Sequence, residues 1–190
     1  MFDRWRDDAR AYKHPLLAQG FWALQVHRFG AARRRFRSPL IRRPWGMLHV
    51  ALMKLSEIVG GIYLGKDAQI GKRLVIEHFG AIIVHNRAVI GDDCVIRQGV
   101  TIGMRRHDDP LGVPVIGDRV DIGAGAKLLG RITIGDDATI GANAVVLSDV
   151  PAGSLAVGVP AVIKRGSVAG RGRLPLERKS QEDQVDDPDE

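Results

Sequence analysis

A six-residue repeat is the feature that most constrains the fold of this chain. Between residues 116 and 146 a large aliphatic side chain recurs at every sixth position: Ile116, Ile122, Leu128, Ile134, Ile140 and Val146. A second apolar residue, small enough to point inward, follows each of them four positions later: Val120, Ala126, Ile132, Ala138, Ala144 and Val150. Helices repeat at about 3.6 residues and strands at 2, so neither element explains this period. A period of six is typical of a parallel β-helix, in which three hexapeptides form one triangular coil and stacked coils share a core.

The repeat continues upstream with two interruptions. Leu64, Ile70 and Ile76 keep the register, which then slips by two residues before it resumes at Val84, Ile90, Ile96 and Ile102. Between Ile102 and Ile116 the chain has eight extra residues, which we place in a loop at 104–114. The charges, glycines and prolines of this loop do not fit inside a coil. Loops that leave a rigid solenoid often carry function, so we expect loop 104–114 to help close a site; a tolerated surface insertion is the alternative.

Helical patterns precede the repeat. Residues 16–37 are predicted to form one helix and residues 46–59 a second helix, whereas residues 1–14 are predicted to be irregular or weakly helical. Ser38-Pro39 and Arg43-Pro44 are expected to separate the two helices. We therefore predict a helical region at 1–61, a β-helix domain at 62–165 and a disordered acidic tail at 166–190.

Composition narrows the range of functions. Residues 1–60 contain 12 Lys and Arg against 4 Asp and Glu, which suggests an anionic partner. The chain has no zinc-ligand spacing and no aromatic RNA-reading motif, so we do not expect a nucleic-acid partner. A solvated helix face is the favoured interpretation, and a weak peripheral membrane contact is the alternative, because Phe21, Trp22, Phe29 and Phe36 alternate with arginines.

The single cysteine, Cys94, occupies an inward position and is expected to be a core residue. The first residues lack the apolar stretch of a secretory signal, and no apolar run is long enough to span a bilayer. These features predict a soluble, cytoplasmic protein.

Several stretches resemble the left-handed hexapeptide-repeat acyltransferases, and within them the serine O-acetyltransferases. The similarity covers about residues 6 to 165, and it is carried by the stretches at 20–28 (GFWALQVHR), 68–78 (AQIGKRLVIEH), 98–103 (QGVTIG), 122–130 (IGAGAKLLG) and 156–161 (AVGVPA). The resemblance implies a mainly β chain whose β-helix is left-handed and preceded by two short α-helices. It also implies acetyl transfer from acetyl-CoA, as co-substrate, to a hydroxyl group, without a metal.

The resemblance implies that His78 is the catalytic base. A neutral imidazole can accept a hydroxyl proton near neutral pH, which an alcohol needs before it attacks a thioester. The acidic residue that precedes the family histidine is Glu77 here. The aspartate that orients that histidine in the family is replaced by Tyr63, whose hydroxyl can accept a hydrogen bond but supplies no carboxylate.

The resemblance also suggests binding residues. For the acceptor it implies Asp7, with Arg106 and His107 in the loop; the second active-site histidine of the family aligns with Val113. For coenzyme A it implies Gly103, Ala124, Ala142, Lys164 and Arg165. The active sites of the family lie between the three subunits of a trimer. Most of the family's N-terminal domain, which pairs trimers into hexamers, is absent, so we expect a homotrimer. The chain ends at Asp189-Glu190 rather than in the family's isoleucine, so we expect no complex with a cysteine-synthesis enzyme.

Three functions remain open from the sequence. The first is serine O-acetyltransferase. The second is a sugar O-acetyltransferase in surface-polysaccharide or exopolysaccharide biosynthesis, which Tyr63 and the basic helices would suit. The third is a non-catalytic β-helix scaffold, against which His78 and the Gly-Val-Pro-Ala stretch argue.

Overall fold

The computed structural model describes residues 2–33 and 38–164. Its helices are α1 (Phe2–Arg10), a 3₁₀ helix (Pro15–Leu17), α2 (Gln19–Ala32) and α3 (Pro39–Gly60). Its strands are β1 (Ile62–Leu64), β2 (Gln69–Ile70), β3 (Val75–Glu77), β4 (Ile82–Val84), β5 (Val89–Ile90), β6 (Val95–Arg97), β7 (Thr101–Gly103), β8 (Val115–Ile116), β9 (Asp121–Ile122), β10 (Lys127–Leu129), β11 (Thr133–Ile134), β12 (Thr139–Ile140), β13 (Val145–Val146), β14 (Leu155–Val157) and β15 (Val162–Lys164). The predicted acidic tail at 166–190 lies outside the described residues.

The strands form a parallel β-helix with three faces. In the described part of the chain the first face contains β1, β4, β7, β10 and β13, the second contains β2, β5, β8 and β11, and the third contains β3, β6, β9, β12, β14 and β15. All neighbouring strands pair in parallel except β14 and β15, where the last strand folds back antiparallel. The predicted fold class, a mainly β chain with a left-handed parallel β-helix, is confirmed.

The repeat positions form the core, as the six-residue period predicted. Ile116, Ile122, Leu128 and Ile134 are at most 2% exposed, and their counterparts in the other coils belong to the same cluster. Cys94 lies within this cluster, where burial raises the pKa of its thiol to about 11. A thiol with this pKa is protonated at neutral pH, so Cys94 is a core residue rather than a nucleophile.

The helical predictions need three corrections. Residues 2–10 form a regular helix, although residues 1–14 were predicted to be irregular or weakly helical. The first long helix, predicted over 16–37, is α2 from Gln19 to Ala32, and residues 34–37 lie outside the described residues. The second helix begins at Pro39, not at 46, so Pro44 lies inside it instead of ending it. A proline inside a helix removes one backbone hydrogen bond and destabilises the helix, and tertiary packing compensates for this loss. Trp45, the next residue, stacks on Phe29 with ring centroids 4.1 Å apart and donates from Nε1 to the Phe29 carbonyl at 2.9 Å.

Helix α2 covers the open end of the β-helix. Leu24 is fully buried within the core cluster, and Gly20 lies so close to Ile76 that a Cβ at this position would collide with the Ile76 carbonyl. The Arg28 guanidinium donates to the Ile70 carbonyl at 2.6 Å, to the Gly71 carbonyl and to the carboxylate of Asp8. These contacts satisfy carbonyls of the first coil and anchor α1 and α2 on it.

His27 lies in the same interface as a buried imidazole. Neither of its ring nitrogens has a hydrogen-bond partner among the described residues, and the side chain is 5% exposed. Burial, with a smaller contribution from the charge of Arg28, lowers the pKa of His27 to about 4. The folded protein therefore holds this imidazole neutral at pH values where the unfolded chain would protonate it.

We expect a pH-dependent loss of stability from His27. Between pH 6.5 and 4 the unfolded state binds the additional proton, so the free energy of unfolding should fall as the pH falls, by at most about 3 kcal/mol over this interval. Urea unfolding at pH 7, 5.5 and 4 measures this slope. His27→Leu should flatten it, because an apolar side chain leaves no polar atom unsatisfied. An unchanged slope in His27→Leu would assign the pH dependence to other groups.

Candidate active site

One corner of the β-helix carries His78 and two of the predicted cofactor residues. This corner, where the chain passes from the third face to the first, comprises residues 78–81, 98–100, 123–126 and 141–144, and we call it the His78 corner. Backbone hydrogen bonds of 2.8–2.9 Å connect its levels: Gly99 N–H to Gly80 O, Gly125 N–H to Gln98 O, and Asn143 N–H to Ala124 O. With about 4.8 Å between neighbouring strands, His78 and Ala142 are separated by roughly 14 Å along the axis.

His78 lies in an expanded part of this corner. Strand register shifts from an offset of 20 residues at Glu77↔Arg97 to 18 at Ile83↔Thr101, so the two-residue slip in the sequence falls between residues 77 and 83. His78, Gly80 and Ala81 all have positive φ values, of 64°, 106° and 53°. Single positive-φ residues also occur in other corners, so the cluster of three distinguishes this one. The imidazole is exposed and makes no hydrogen bond within the described protomer.

A ladder of charged side chains flanks His78 on the third face. Glu77 forms an ion pair with Arg97 at 2.9 Å, and Arg97 also binds Asp121 on the next strand. All three side chains are partly exposed. Glu77 is therefore already paired with a cation of this chain, which the sequence analysis did not predict. One coil contains about 18 residues, and the two-residue slip lengthens this coil to 20. The 20-residue separation of Glu77 and Arg97 therefore indicated that they lie side by side on neighbouring strands.

Tyr63 is not brought into hydrogen-bonding contact with His78. It lies on β1 of the first face, and its hydroxyl donates to Asn86 Oδ1 at 3.4 Å. Asn86 belongs to the corner between the first and second faces, which is on the other side of the first face from His78. Within the described protomer, neither Tyr63 nor Glu77 orients the imidazole.

Loop 104–114 leaves the corner between the first and second faces. Val113 is 8% exposed and anchors the loop, and Asp109 pairs with Arg131 at 2.9 Å. Arg106 and His107 are exposed, with Arg106 paired to Asp108 at 2.7 Å. The structure therefore places these two predicted acceptor residues together, but a full face away from His78 of the same protomer.

The predicted cofactor residues occupy three places. Ala124 and Ala142 are stacked on the His78 corner. Gly103 ends β7 at the root of the loop, where a Cβ would meet no atom within 4 Å. Lys164 is exposed at the end of β15, and Arg165 lies outside the described residues. Open space at Gly103 and small side chains at Ala124 and Ala142 would allow a ligand to approach the backbone closely.

The acidic residues of α1 have separate roles. Asp7 is partly exposed and lies 4.0 Å from Arg10. A hydrogen bond to Asp93 is the main cause that raises the pKa of Arg73, which begins the turn into β3, and the charge of Asp7 makes a smaller contribution. The neighbouring Asp8 is fully buried and accepts the Arg73 backbone N–H at 2.9 Å. Asp7 is thus at the Arg73 end of β3, whereas His78 follows its other end.

Tyr12 connects α1 to the strand that leads to His78. Its hydroxyl accepts the Ile76 N–H at 2.8 Å, and burial is the main cause that raises its pKa. This contact was not predicted, because nothing in the spacing of the sequence indicates it. Among the described residues there is no cluster of three or more side chains suited to bind a metal ion.

Comparison with known proteins identifies the family. Residues 114–148 match the bacterial transferase hexapeptide model of six repeats. The chain is 42% identical over 146 residues to serine acetyltransferase of Helicobacter pylori strain J99, covering 77% of this chain and 81% of the relative. Its structure is similar to that of Brucella abortus serine acetyltransferase in complex with coenzyme A, with a TM-score of 0.75, 30% identity, and coverage of 87% of this chain and 68% of the other. It is also similar to soybean serine acetyltransferase complexed with serine, with a TM-score of 0.72, 34% identity, and coverage of 85% and 68%. The chain belongs to the serine acetyltransferase family.

Proposed function

We propose that this protein transfers acetyl from acetyl-CoA to a hydroxyl group, with L-serine as the acceptor and O-acetylserine as the product. The observation that carries this proposal is the His78 corner, where His78, Ala124 and Ala142 form one column. Similarity to family members solved with coenzyme A and with serine supports it.

The chemistry follows from an exposed imidazole on a corner that carries small side chains at Ala124 and Ala142. His78 accepts the hydroxyl proton while the acceptor oxygen attacks the thioester carbonyl carbon. Backbone N–H groups stabilise the oxyanion of the tetrahedral intermediate. When this intermediate collapses, the carbon–sulfur bond breaks and the imidazolium returns the proton to the departing sulfur. No covalent enzyme intermediate is required.

A homotrimer would complete the site. Within one protomer, His78 and loop 104–114 lie at different corners, so Arg106 and His107 would reach His78 only from a neighbouring chain. Gly103 would likewise face the Ala124–Ala142 column of the next subunit, and Lys164 and Arg165 would bind phosphates of coenzyme A. Light scattering should give three times the chain mass; an active monomer would contradict this assembly.

A sugar hydroxyl is the second candidate acceptor, and one observation favours it. Serine carries an ammonium group, which needs a carboxylate such as that of Asp7 or Glu77 as counter-charge. Glu77 is paired with Arg97, and Asp7 lies at the opposite end of β3 from His78. An acceptor without an ammonium group would not need either carboxylate.

Release of free thiol from acetyl-CoA across a panel of acceptors distinguishes these functions. L-Serine, L-homoserine and nucleotide sugars should be assayed side by side, with the acetylated product identified by mass spectrometry. Serine-dependent release with O-acetylserine as product is expected. Release with a nucleotide sugar alone would favour the second function, and no release with any hydroxyl acceptor would favour the scaffold.

Replacing Arg97 tests whether Glu77 is available to serine. Arg97→Leu should lower the KM for serine by up to about fivefold, because it frees a partly exposed carboxylate whose ion pair is worth about 1 kcal/mol at most. Arg119→Leu is the matched control, since Arg119 forms a similar pair with Asp137, at 2.7 Å, at a different corner. A higher KM in Arg97→Leu alone would show that Arg97 itself binds the acceptor.

A bulky residue at Ala142 tests the cofactor position. Ala142→Trp should raise the KM for acetyl-CoA at least tenfold, because the indole would block the proposed path of the cofactor over Ala124. Ala152→Trp is the control, since Ala152 is also exposed but lies at the corner between the second and third faces. Equal KM values for the two variants would place coenzyme A elsewhere.

A further inference from the structure

Helix α3 exposes a continuous apolar surface. Its side chains at Leu40, Ile41, Met47, Leu48, Leu55, Ile58 and Val59 are 50% to 87% exposed. On a helix of 3.6 residues per turn these positions fall within one stripe about 120° wide, which we call the α3 stripe. The opposite side of the helix packs on the rest of the protein through His49 and Gly60, which are buried. A contiguous exposed apolar surface on a folded chain often marks an interaction site.

An apolar groove continues the α3 stripe toward α2. The groove has a volume of about 330 Å³ and is lined by Trp22, Val26, Leu52, Leu55 and Val59 among others. Leu55 and Val59 belong to both the groove and the stripe. Trp22 is 50% exposed, and its Nε1 donates to the Leu16 carbonyl at 2.9 Å. Leu16 and Leu17 beside it are 63% and 81% exposed, so the apolar surface extends past the start of α2.

The charges around this surface have one dominant sign. Helix α3 contains Arg42, Arg43 and Lys54 against a single acidic residue, Glu57. Lys54 pairs with Glu57 at 2.6 Å, whereas Arg42 and Arg43 are exposed and form no ion pair with an acidic side chain in the described part of the chain. In sequence, residues 33–43 contain six arginines and no acidic residue.

We infer that the α3 stripe and its groove bind the surface of an anionic lipid bilayer. An exposed apolar helix face with Arg43 along one edge and an amphipathic indole along the other has the properties of a helix that lies in the membrane interface. A second copy of this chain is the less favoured occupant, because residues 1–60 carry a net charge of +8 from 12 basic and 4 acidic residues. Two such surfaces repel each other, whereas anionic headgroups attract them. No helix among the described residues is long and apolar enough to cross a membrane, so the contact is peripheral.

Co-sedimentation of the full chain with vesicles tests this inference. Vesicles of phosphatidylglycerol and phosphatidylcholine should bind the protein, and vesicles of phosphatidylcholine alone should bind it at least tenfold more weakly. The double variant Leu40→Gln/Ile58→Gln should lose at least tenfold in affinity, because both side chains are more than 80% exposed in the free protein and would enter the interface. Arg43→Gln should weaken binding about fivefold, because Arg43 borders the stripe. Val162→Gln is the matched control, since Val162 is 62% exposed on β15 and outside the stripe.

Other outcomes would overturn the inference. Failure of the wild type to bind anionic vesicles, or equal binding by the double variant, would exclude the α3 stripe as a lipid surface. A solution mass that is halved by Leu40→Gln/Ile58→Gln would instead assign the stripe to a second copy of the assembly. Coenzyme A release measured without vesicles should not change in the double variant, so this test is independent of the proposed acetyl transfer.

Discussion

His78→Ala is expected to lower kcat by about 10²–10⁴-fold while acetyl-CoA still binds. The variant removes the base that accepts the hydroxyl proton, and a positioned base typically contributes a factor of this size. The side chain is exposed at its corner and contributes nothing to the core, so the fold should be unaffected. Thiol release under saturating acceptor gives kcat, and calorimetric titration with coenzyme A checks that binding persists.

Two comparisons make this result specific. His14→Ala should retain full activity, because His14 is exposed between α1 and the 3₁₀ helix. Tyr63→Phe should cost less than tenfold, since it removes one long hydrogen bond to Asn86 rather than the base. Near-normal turnover by His78→Ala, on any acceptor that the wild type uses, would remove the catalytic assignment and favour the scaffold.

Ile134→Asp is expected to destabilise the protein by more than about 4 kcal/mol, which is a large part of the stability of an ordinary domain. Ile134 is fully buried on β11 and belongs to the core that all coils share. A carboxylate there has no partner and leaves the neighbouring coils without an apolar contact. Urea unfolding followed by circular dichroism measures the change.

A matched pair of substitutions separates the inward and outward positions of one strand. On β8, Ile116 is 2% exposed and Val115 is 46% exposed. Ile116→Asp should therefore behave like Ile134→Asp, whereas Val115→Asp should change the free energy of unfolding by less than about 1 kcal/mol, because its carboxylate stays hydrated. Equal losses at the two positions would contradict the assignment of an inward repeat.

The β-helix could be predicted from the sequence because its determinants are local and periodic. Each coil requires the same kind of residue at the same step, so positions such as Ile122 and Leu128 indicate their environment without knowledge of distant contacts. The interruptions were equally informative: the eight extra residues form the loop before Val115, and the two-residue slip expands the corner at His78.

The helices were less predictable because tertiary contacts decide their limits. Pro44 is an unfavourable residue inside a helix, and the packing of Trp45 on Phe29 helps to explain why α3 begins at Pro39, seven residues before the predicted start. Asp8 is fixed by Arg28 and by the backbone of Arg73, residues far away in sequence. No local pattern distinguishes it from Asp7.

The site could be predicted only in part for a related reason. Residues one coil apart in sequence lie on the same corner. Ala124 and Ala142 are separated by one coil, so their stacking could be predicted from the sequence. The pairing of Glu77 with Arg97 depends on side-chain reach across strands, and the hydrogen bond from Tyr63 to Asn86 depends on rotamer choice. The coil spacing indicates which strands are neighbours, but side-chain reach and rotamer choice leave no periodic signal.

A crystal structure of the protein with coenzyme A tests the central claim most directly. We expect the pantetheine arm to run along the His78 corner past Ala142 and Ala124, with its sulfur within hydrogen-bonding reach of the His78 imidazole. Arg106 or His107 of a neighbouring subunit should line the same cavity. Coenzyme A bound at another corner, with its sulfur remote from every His78 in the assembly, would contradict the proposed site.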